Sequence, residues 1–216
     1  MSKIYMYAVV RDLGFAPNPF HGYCTLATCK PKIRNRAKIN DWIIGMGGSR
    51  LHATGQCIFA MLVTDKLTFN EYWENSTFFD KKPVRNGSWK MMVGDNIYQF
   101  DSVKQDWYQA DSHHSHEDGS INLHNLYRDT SSDKVLISQN FFYFGSQAPI
   151  VPCDLLYEIG YKRNPRDYRV FEYKIAGGLI EWLQKSFEGS LNQVLADPFD
   201  FKNSYKRYSA DNNKFS

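Results

Sequence analysis

The stretch Gln56-Cys-Ile-Phe-Ala-Met-Leu-Val-Thr64 is the strongest folding signal in the chain, an unbroken apolar run of strand length with polar ends. Lys3–Arg11 is similarly rich in strand formers and stops at the turn signal Asp12-Leu-Gly14. Asn40-Asp-Trp-Ile-Ile-Gly45 reads as a turn and then a buried strand, with Met46–Ser49 as a flexible exit loop. Lys134–Ser138 and Phe141–Gly145 predict a pair of strands around Gln139-Asn140. Helical spacing is clearest in Gly178–Phe187, where Leu179, Trp182, Leu183 and Phe187 recur at one face. A shorter helix is expected within Leu67–Trp73, capped by Thr68 or Asn70. Strands interspersed with short helices make this an α+β chain.

Two exclusions follow from the same runs. Ile4–Val10 is too short to span a bilayer and has no charged lead or cleavage site, so a cytoplasmic chain with no membrane partner is expected. Cys24, Cys29, Cys57 and Cys153 have no paired CxxC spacing, which in that compartment predicts reduced thiols, structural or catalytic. GxxxxGK[ST], GxGxxG and Gly-x-Ser-x-Gly are all absent, so nucleotide-triphosphate hydrolysis, dinucleotide redox chemistry and a serine nucleophile lack their usual support. No cofactor is indicated.

Aromatic residues make up 16% of the chain, and rings that first serve cores also stack unpaired bases. The net charge of +3 is too small to imply nucleic acid, so any electrostatic case must be local. It is found at Lys30–Lys38, where Lys30, Lys32, Arg34, Arg36 and Lys38 occur without an acid. A short helix with Pro31 in its first turn would align Lys30, Arg34 and Lys38 as a basic surface stripe. Before it, Gly14–Gly22 holds two prolines and two glycines, a shaped loop carrying Asn18, Phe20 and His21. Residues 75–133 are polar and turn-rich and read as a long functional loop or insertion. The polar end, from Lys202, is expected to fray.

His113, His114 and His116 invite a metal, but two imidazoles on one side of an extended segment are not a site, and no zinc-protease or deaminase signature is present. No metal ligand set is assigned, and hydrogen-bonding or acid/base histidines in a polar pocket remain. Cys24 or Cys29, beside Lys30 and Arg34, could act as a nucleophile with His21 as a base, or could simply fill core.

The run Arg11-Asp-Leu-Gly-Phe-Ala-Pro-Asn-Pro-Phe-His-Gly-Tyr-Cys-Thr-Leu-Ala-Thr-Cys-Lys-Pro-Lys-Ile-Arg34, with Asp41–Gly45, Gly94-Asp-Asn-Ile-Tyr98 and Asp111-Ser-His-His-Ser115, is distinctive. It resembles the bacterial and phage family called nucleotide modification associated domain, type two, over roughly residues 3–152. The resemblance implies a setting of DNA base hypermodification or phage defence, DNA or a nucleotide as partner, and a companion modification enzyme. The family-like polar residues are Asp12, Asn18, Thr25, Cys29, Lys30, Lys32, Arg34, Asp41, Asp95, Asn96 and the run Ser112, His113, His114, Ser115. Asn40 stands where a glycine is more usual. The order of basic segment, Asp-Trp-Ile-Ile-Gly and strand is also similar to PUA-like barrels such as the EVE and ASCH domains. That likeness implies a strongly curved or barrel-like mixed sheet with short helices and a C-terminal helix. The expected organisation is a domain over 1–152 with the polar insertion, and a helical extension over 153–216 packed on it.

The expected site forms where the Asn18–His21 loop, the Cys29–Arg34 segment and the Asp95–Ser115 loops converge. There Lys30, Lys32 and Arg34 would hold phosphate, and Trp42 or Phe20 would stack a base. Asn18, Asp95 and Asn96 would bond its edge, with Ser112 and Ser115 alongside. His113 and His114 would be donors or an acid/base pair, with Asp111 and Cys29 as further catalytic candidates. The function expected is binding or processing of a modified nucleotide or base in DNA. The rivals are a stand-alone enzyme acting on a small nucleotide or modified-base precursor, and a non-catalytic subunit whose Tyr161–Arg169 stretch contacts another protein.

Overall fold

The computed structural model describes residues 2–162, 165–209 and 214–215. In chain order its strands are β1 (Lys3–Val9), β2 (Cys24–Leu26), β3 (Trp42–Gly47), β4 (Cys57–Leu62), β5 (Asp65–Leu67), β6 (Tyr98–Asp101), β7 (Asp106–Gln109), β8 (Val135–Ser138), β9 (Phe141–Tyr143), β10 (Tyr168–Glu172) and β11 (Gln193–Val194). A last short ladder joins Tyr208–Ser209 to Lys214–Phe215. The α-helices are α1 (Pro31–Arg36), α2 (Phe69–Glu74), α3 (Trp89–Met92), α4 (Leu123–Thr130), α5 (Cys153–Glu158) and α6 (Tyr173–Ser186). The chain is α+β. None of the described helices is long and apolar enough to cross a membrane.

The residues divide into two compact units. The first comprises Met1–Asp12, Ala37–Thr64 and Ser138–Phe199. Its six-stranded sheet runs β10-β1-β3-β4-β9-β11, with β1 parallel to β3 and β10 and β11 at its edges. The two edges stay open, so the expected barrel-like closure is not seen. The central strands are the apolar runs read from the sequence, and β3 is buried along its whole length. It continues through Met46 and Gly47, so the expected exit loop starts later than the glycines suggested. A Cβ at Gly45 would lie 2.1 Å from the Phe59 ring, which is why the strand carries glycine there. Asn40 has φ of +70°, a left-handed backbone that glycine or asparagine adopts most readily. This accounts for asparagine at a position where the resemblance led to an expectation of glycine. Asp41 then fixes the turn by accepting from the backbone N–H groups of Lys3 and Lys38, both at 2.8 Å.

Residues beyond 152 supply β10, paired antiparallel with β1, as well as helices. The expected division at residue 152 coincides with neither unit's boundary. α6 begins at Tyr173, five residues before the sequence periodicity becomes clear, and buries Ala176, Leu179, Ile180 and Leu183 along one face. Of the basic aromatic stretch Tyr161–Arg169, Arg163 and Asn164 lie outside the described residues, and Tyr168 and Arg169 open β10.

The second unit comprises Leu13–Arg36, Asp65–Ile137 and Asp200–Ser216. It contains the three-stranded sheet β2-β8-β5 and the β6–β7 hairpin. The expected pairing of β8 with β9 does not occur, because β8 lies between β2 and β5 whereas β9 pairs with β4. The polar stretch 75–133 is far from structureless. It carries α3, the hairpin and α4, and it contributes Phe78, Val93, Ile97, Tyr98 and Leu126 to a core shared with Leu13, Phe15, Phe69, Tyr72 and Val135. Much of the aromatic excess is spent here, in edge-to-face pairs such as Phe69 with Tyr98 at 5.3 Å.

Candidate functional site

Within the second unit the loop after β2 turns sharply into α1. Cys29 and Lys30 both have left-handed backbones, with φ of +55° and +40°, an arrangement side-chain-bearing residues hold only when neighbours enforce it. The enforcing contacts are visible. The Cys29 N–H donates to Asp129 Oδ1 at 2.8 Å, and the Cys29 carbonyl accepts from Arg34 Nε at 2.8 Å. Cys29 is a partly exposed residue, and its thiol lies 3.8 Å from His114 Nε2. On the other side of that ring, His114 Nδ1 is 2.7 Å from Asp129 Oδ2, which also accepts from the Tyr98 hydroxyl at 2.9 Å. Sulfur, imidazole and carboxylate therefore form one line, with His114 and Asp129 buried behind Cys29.

The ring is held rigidly. Phe15 meets it edge-on at 4.8 Å, His113 stacks at 5.8 Å and Tyr208 lies tilted at 5.8 Å. The His114 carbonyl accepts from Asn125 Nδ2 at 2.8 Å and Gln109 Nε2 at 3.2 Å. Burial opposes the imidazolium, but the Asp129 carboxylate and the Cys29 sulfur outweigh it and raise the His114 pKa. Burial likewise opposes the Asp129 charge, and His114 with Arg34 pulls its pKa below the ordinary carboxylate value.

Arg34 corrects the expected basic stripe. Its side chain is fully buried, and beyond Cys29 it donates to the carbonyls of Ser132 at 2.8 Å, Lys134 at 2.5 Å and Asp129. It ties the Cys29 loop to the C-terminal end of α4, leaving no guanidinium edge for a phosphate. Lys32 is exposed and Lys30 partly so, and they stay the lysines nearest Cys29 in sequence. Trp42 is buried in β3 of the other unit and has no open face to stack a base. Phe20 is buried against Phe201 at 5.5 Å with Lys90 above it.

The remaining expected residues fall into two further groups. Asn18, Asp95 and Asn96 point inward. Asn18 donates to the Val93 carbonyl and accepts from Lys81 Nζ at 2.8 Å, while Asp95 accepts from Thr25 at 2.7 Å and Tyr72 at 2.8 Å. Asn96 donates to the carbonyls of Tyr72 and Phe78. Burial pushes Asp95 up to about 6 and Lys81 down to about 8, and it lifts the nearby Cys24 thiol to about 12. These groups fasten the Asn18 loop from within and do not present a base-reading edge. Ser112 and Ser115 shape the turn, the Ser112 hydroxyl accepting from the His114 N–H at 3.2 Å and the Ser115 hydroxyl from the Ser112 N–H at 3.0 Å. Asp111 pairs with Arg207 outside the Cys29 line. His113 does not pair with His114 as an acid/base couple; its Nδ1 is bonded to the Lys206 carbonyl at 2.7 Å. His114, not His21, is the imidazole facing a cysteine. Among the described residues no group of three or more His, Cys, Asp or Glu is placed to hold a metal.

The model for the family described as nucleotide modification associated domain 2 matches residues 1–205. The chain belongs to that family. The Nmad2 match extends well past the 3–152 over which the resemblance was legible, and its name points to nucleotide modification. No curated protein and no solved structure matches the chain. The likeness to PUA-like barrels has no support from the fold.

Sequence reading missed Asp129, Tyr98 and Tyr208. One signal was available for the first: Asn122, Asn125 and Asp129 recur at i, i+3 and i+7, a polar stripe on the same buried face of α4 as Leu126. Tyr208 had none. It lies in the polar end expected to fray, yet its N–H donates to the His113 carbonyl at 2.8 Å.

Proposed function

We propose that this Nmad2 chain modifies nucleotides by covalent catalysis, with Cys29 as nucleophile, His114 as base and then acid, and Asp129 orienting His114. The observation that carries this reading is the single imidazole held between the sulfur of the partly exposed residue Cys29 and a buried carboxylate, at 3.8 and 2.7 Å. A nucleophile, a base and an orienting group in line form the arrangement on which acyl-transfer chemistry depends. In the resting pair His114 already carries the thiol proton, and the sulfur bonds to a carbonyl carbon of a group borne by the nucleotide or base as the carbonyl electron pair moves to oxygen. The bond to the leaving group then breaks, and His114 returns the proton to it. Water, or an acceptor hydroxyl or amine, releases the thioester in the reverse sequence. The substrate class is a modified nucleotide or base, in DNA or as its precursor, which keeps the family's setting and gives it a reaction.

Alkylation tests the nucleophile without knowing the substrate. Cys24 and Cys57 are buried, whereas Cys153 is exposed and serves as an internal reference. At neutral pH, mass spectrometry is expected to find iodoacetamide reacting faster at Cys29 than at Cys153, and His114→Asn to slow Cys29 at least tenfold with Cys153 unchanged. Equal rates at the two sulfurs, insensitive to His114, would overturn the proposal. Titration with duplex, single-stranded and base-modified DNA against mononucleotides separates the DNA-borne substrate from the free precursor; strong, salt-steep duplex affinity with mononucleotides ignored assigns the former.

A further inference from the structure

Two segments of the second unit, 81–93 and 201–208, contain lysine and arginine but no aspartate or glutamate. The fold joins them. Arg85 donates through Nη1 to the carbonyls of Met92 at 2.9 Å and Ser204 at 3.1 Å, and through Nη2 to that of Tyr205 at 2.5 Å. Rings lock the same junction, with Phe201 5.7 Å from Trp89 of α3 and 5.5 Å from Phe20. Beyond these contacts Trp89 stays 43% exposed and Tyr205 57% exposed, although rings of this size ordinarily serve a core. The cations sort by what they touch. Lys81 is buried on Asn18 and the Tyr23 carbonyl, Lys82 lies over the Trp73 ring at 3.8 Å, Arg85 is the clamp and Arg207 is bound to Asp111. Lys90 and Lys202 are exposed, and Lys206 is partly so. Lys90 Nζ is 5.6 Å from the Phe20 ring and Lys206 Nζ is 6.0 Å from the Tyr205 ring, so these ammoniums sit beside aromatic groups. Asp80 and Asp200 stand just before the two segments, and neither segment carries an acid of its own.

We propose that this face binds single-stranded nucleic acid, with Trp89 and Tyr205 stacking unpaired bases and Lys90, Lys202 and Lys206 holding the phosphates. A single strand has base faces free for such rings, whereas a duplex keeps its bases stacked on one another and presents only their edges. The Arg85 clamp fixes rings and ammoniums relative to one another, which lowers the ordering cost of binding. The face adjoins the turn that carries His114, because the Lys206 carbonyl is bonded to His113 Nδ1 at 2.7 Å and the His113 ring stacks on that of His114. The binding face stands without the Cys29 reading; that the bound strand carries the substrate rests on that reading.

Fluorescence anisotropy of the full chain tests this, with a labelled oligothymidylate of about 12 nucleotides, within the size range of single-strand sites, and a duplex of the same length. The single strand is expected to bind more tightly than the duplex. Trp89→Ala and Tyr205→Ala should each weaken it about tenfold while leaving the urea midpoint unchanged, and Trp89→Phe, which keeps a ring, should retain most of the affinity. Tyr157→Ala, at an exposed tyrosine of the other unit, should leave binding as it was. Lys90→Gln and Lys202→Gln should each reduce the slope of log affinity against log salt by roughly 0.7. Duplex bound as tightly as the single strand, or ring variants that bind like the unmodified chain, would overturn the proposal. Polyglutamate that displaces the label as well as unlabelled oligothymidylate does would reduce the face to a site for any polyanion and overturn it equally. Normal alkylation at Cys29 in a chain that binds no strand overturns the face alone, and strand binding with an inert Cys29 overturns the nucleophile alone.

Discussion

At the scale of a residue, Arg34 is the most consequential assignment in the molecule. On a helical wheel it joins Lys30 and Lys38, and charge alone reads it as a surface cation. In three dimensions its Nε and terminal nitrogens fill four carbonyls across Cys29, Asp129, Ser132 and Lys134. Buried acceptors that lose a donor cost about 1–3 kcal/mol each. Arg34→Gln is therefore expected to lower unfolding stability in urea by roughly 3 kcal/mol, on the same principle. Arg34→Lys should recover only part of that, since a lysine cannot reproduce the fork. Full stability in Arg34→Gln, accompanied by weaker nucleotide binding, would return the side chain to the surface role.

At the scale of elements, local chemistry was legible and long-range pairing was not. Thr68 was readable as a cap because its requirement is met within one turn. Its hydroxyl accepts from the Glu71 N–H at 3.2 Å, and Glu71 Oε2 accepts from the Thr68 N–H at 2.7 Å, completing a capping box at α2. Thr68→Ala should cost about 1 kcal/mol, read as a shift of the urea midpoint with an unchanged slope. Pro31 in the first turn of α1 and the Leu179–Leu183 face of α6 were legible for the same reason. By contrast, nothing near Val135 or Phe141 says that their strands belong to different sheets. The core residues of 75–133 were invisible because Phe78, Val93 and Ile97 enter singly from a short 3-10 turn and loops, and Leu126 is the one buried apolar side chain of α4, leaving no period to detect. Cys29 and His114 were found as residue types with suitable chemistry. Their partner Asp129 was not, because its helix is short and its neighbours are polar.

At the scale of the whole molecule, the buried His114–Asp129 pair links folding to pH. The folded pKa of His114 is raised, so its contribution is complete below about 6.5, the free imidazole value, and is lost as pH rises through the higher folded value. The stability difference between the unmodified chain and His114→Gln is expected to be largest at pH 6 and to shrink steadily by pH 9, measured by urea unfolding at each pH. Lys81, whose folded pKa of about 8 is depressed, acts oppositely above that value, but it is common to both chains and cancels in the difference. A difference that does not vary with pH would mean that the imidazole is neutral in the folded protein.

The separation of the three aligned groups along the chain has one more consequence. A ribosome releases the sulfur early, the imidazole 85 residues later and the carboxylate 100 residues after the sulfur, so a growing polypeptide carries Cys29 without either partner over a long stretch of its synthesis. On the proposed reading, the pairing of sulfur, imidazole and carboxylate arises only once the fold has closed around them.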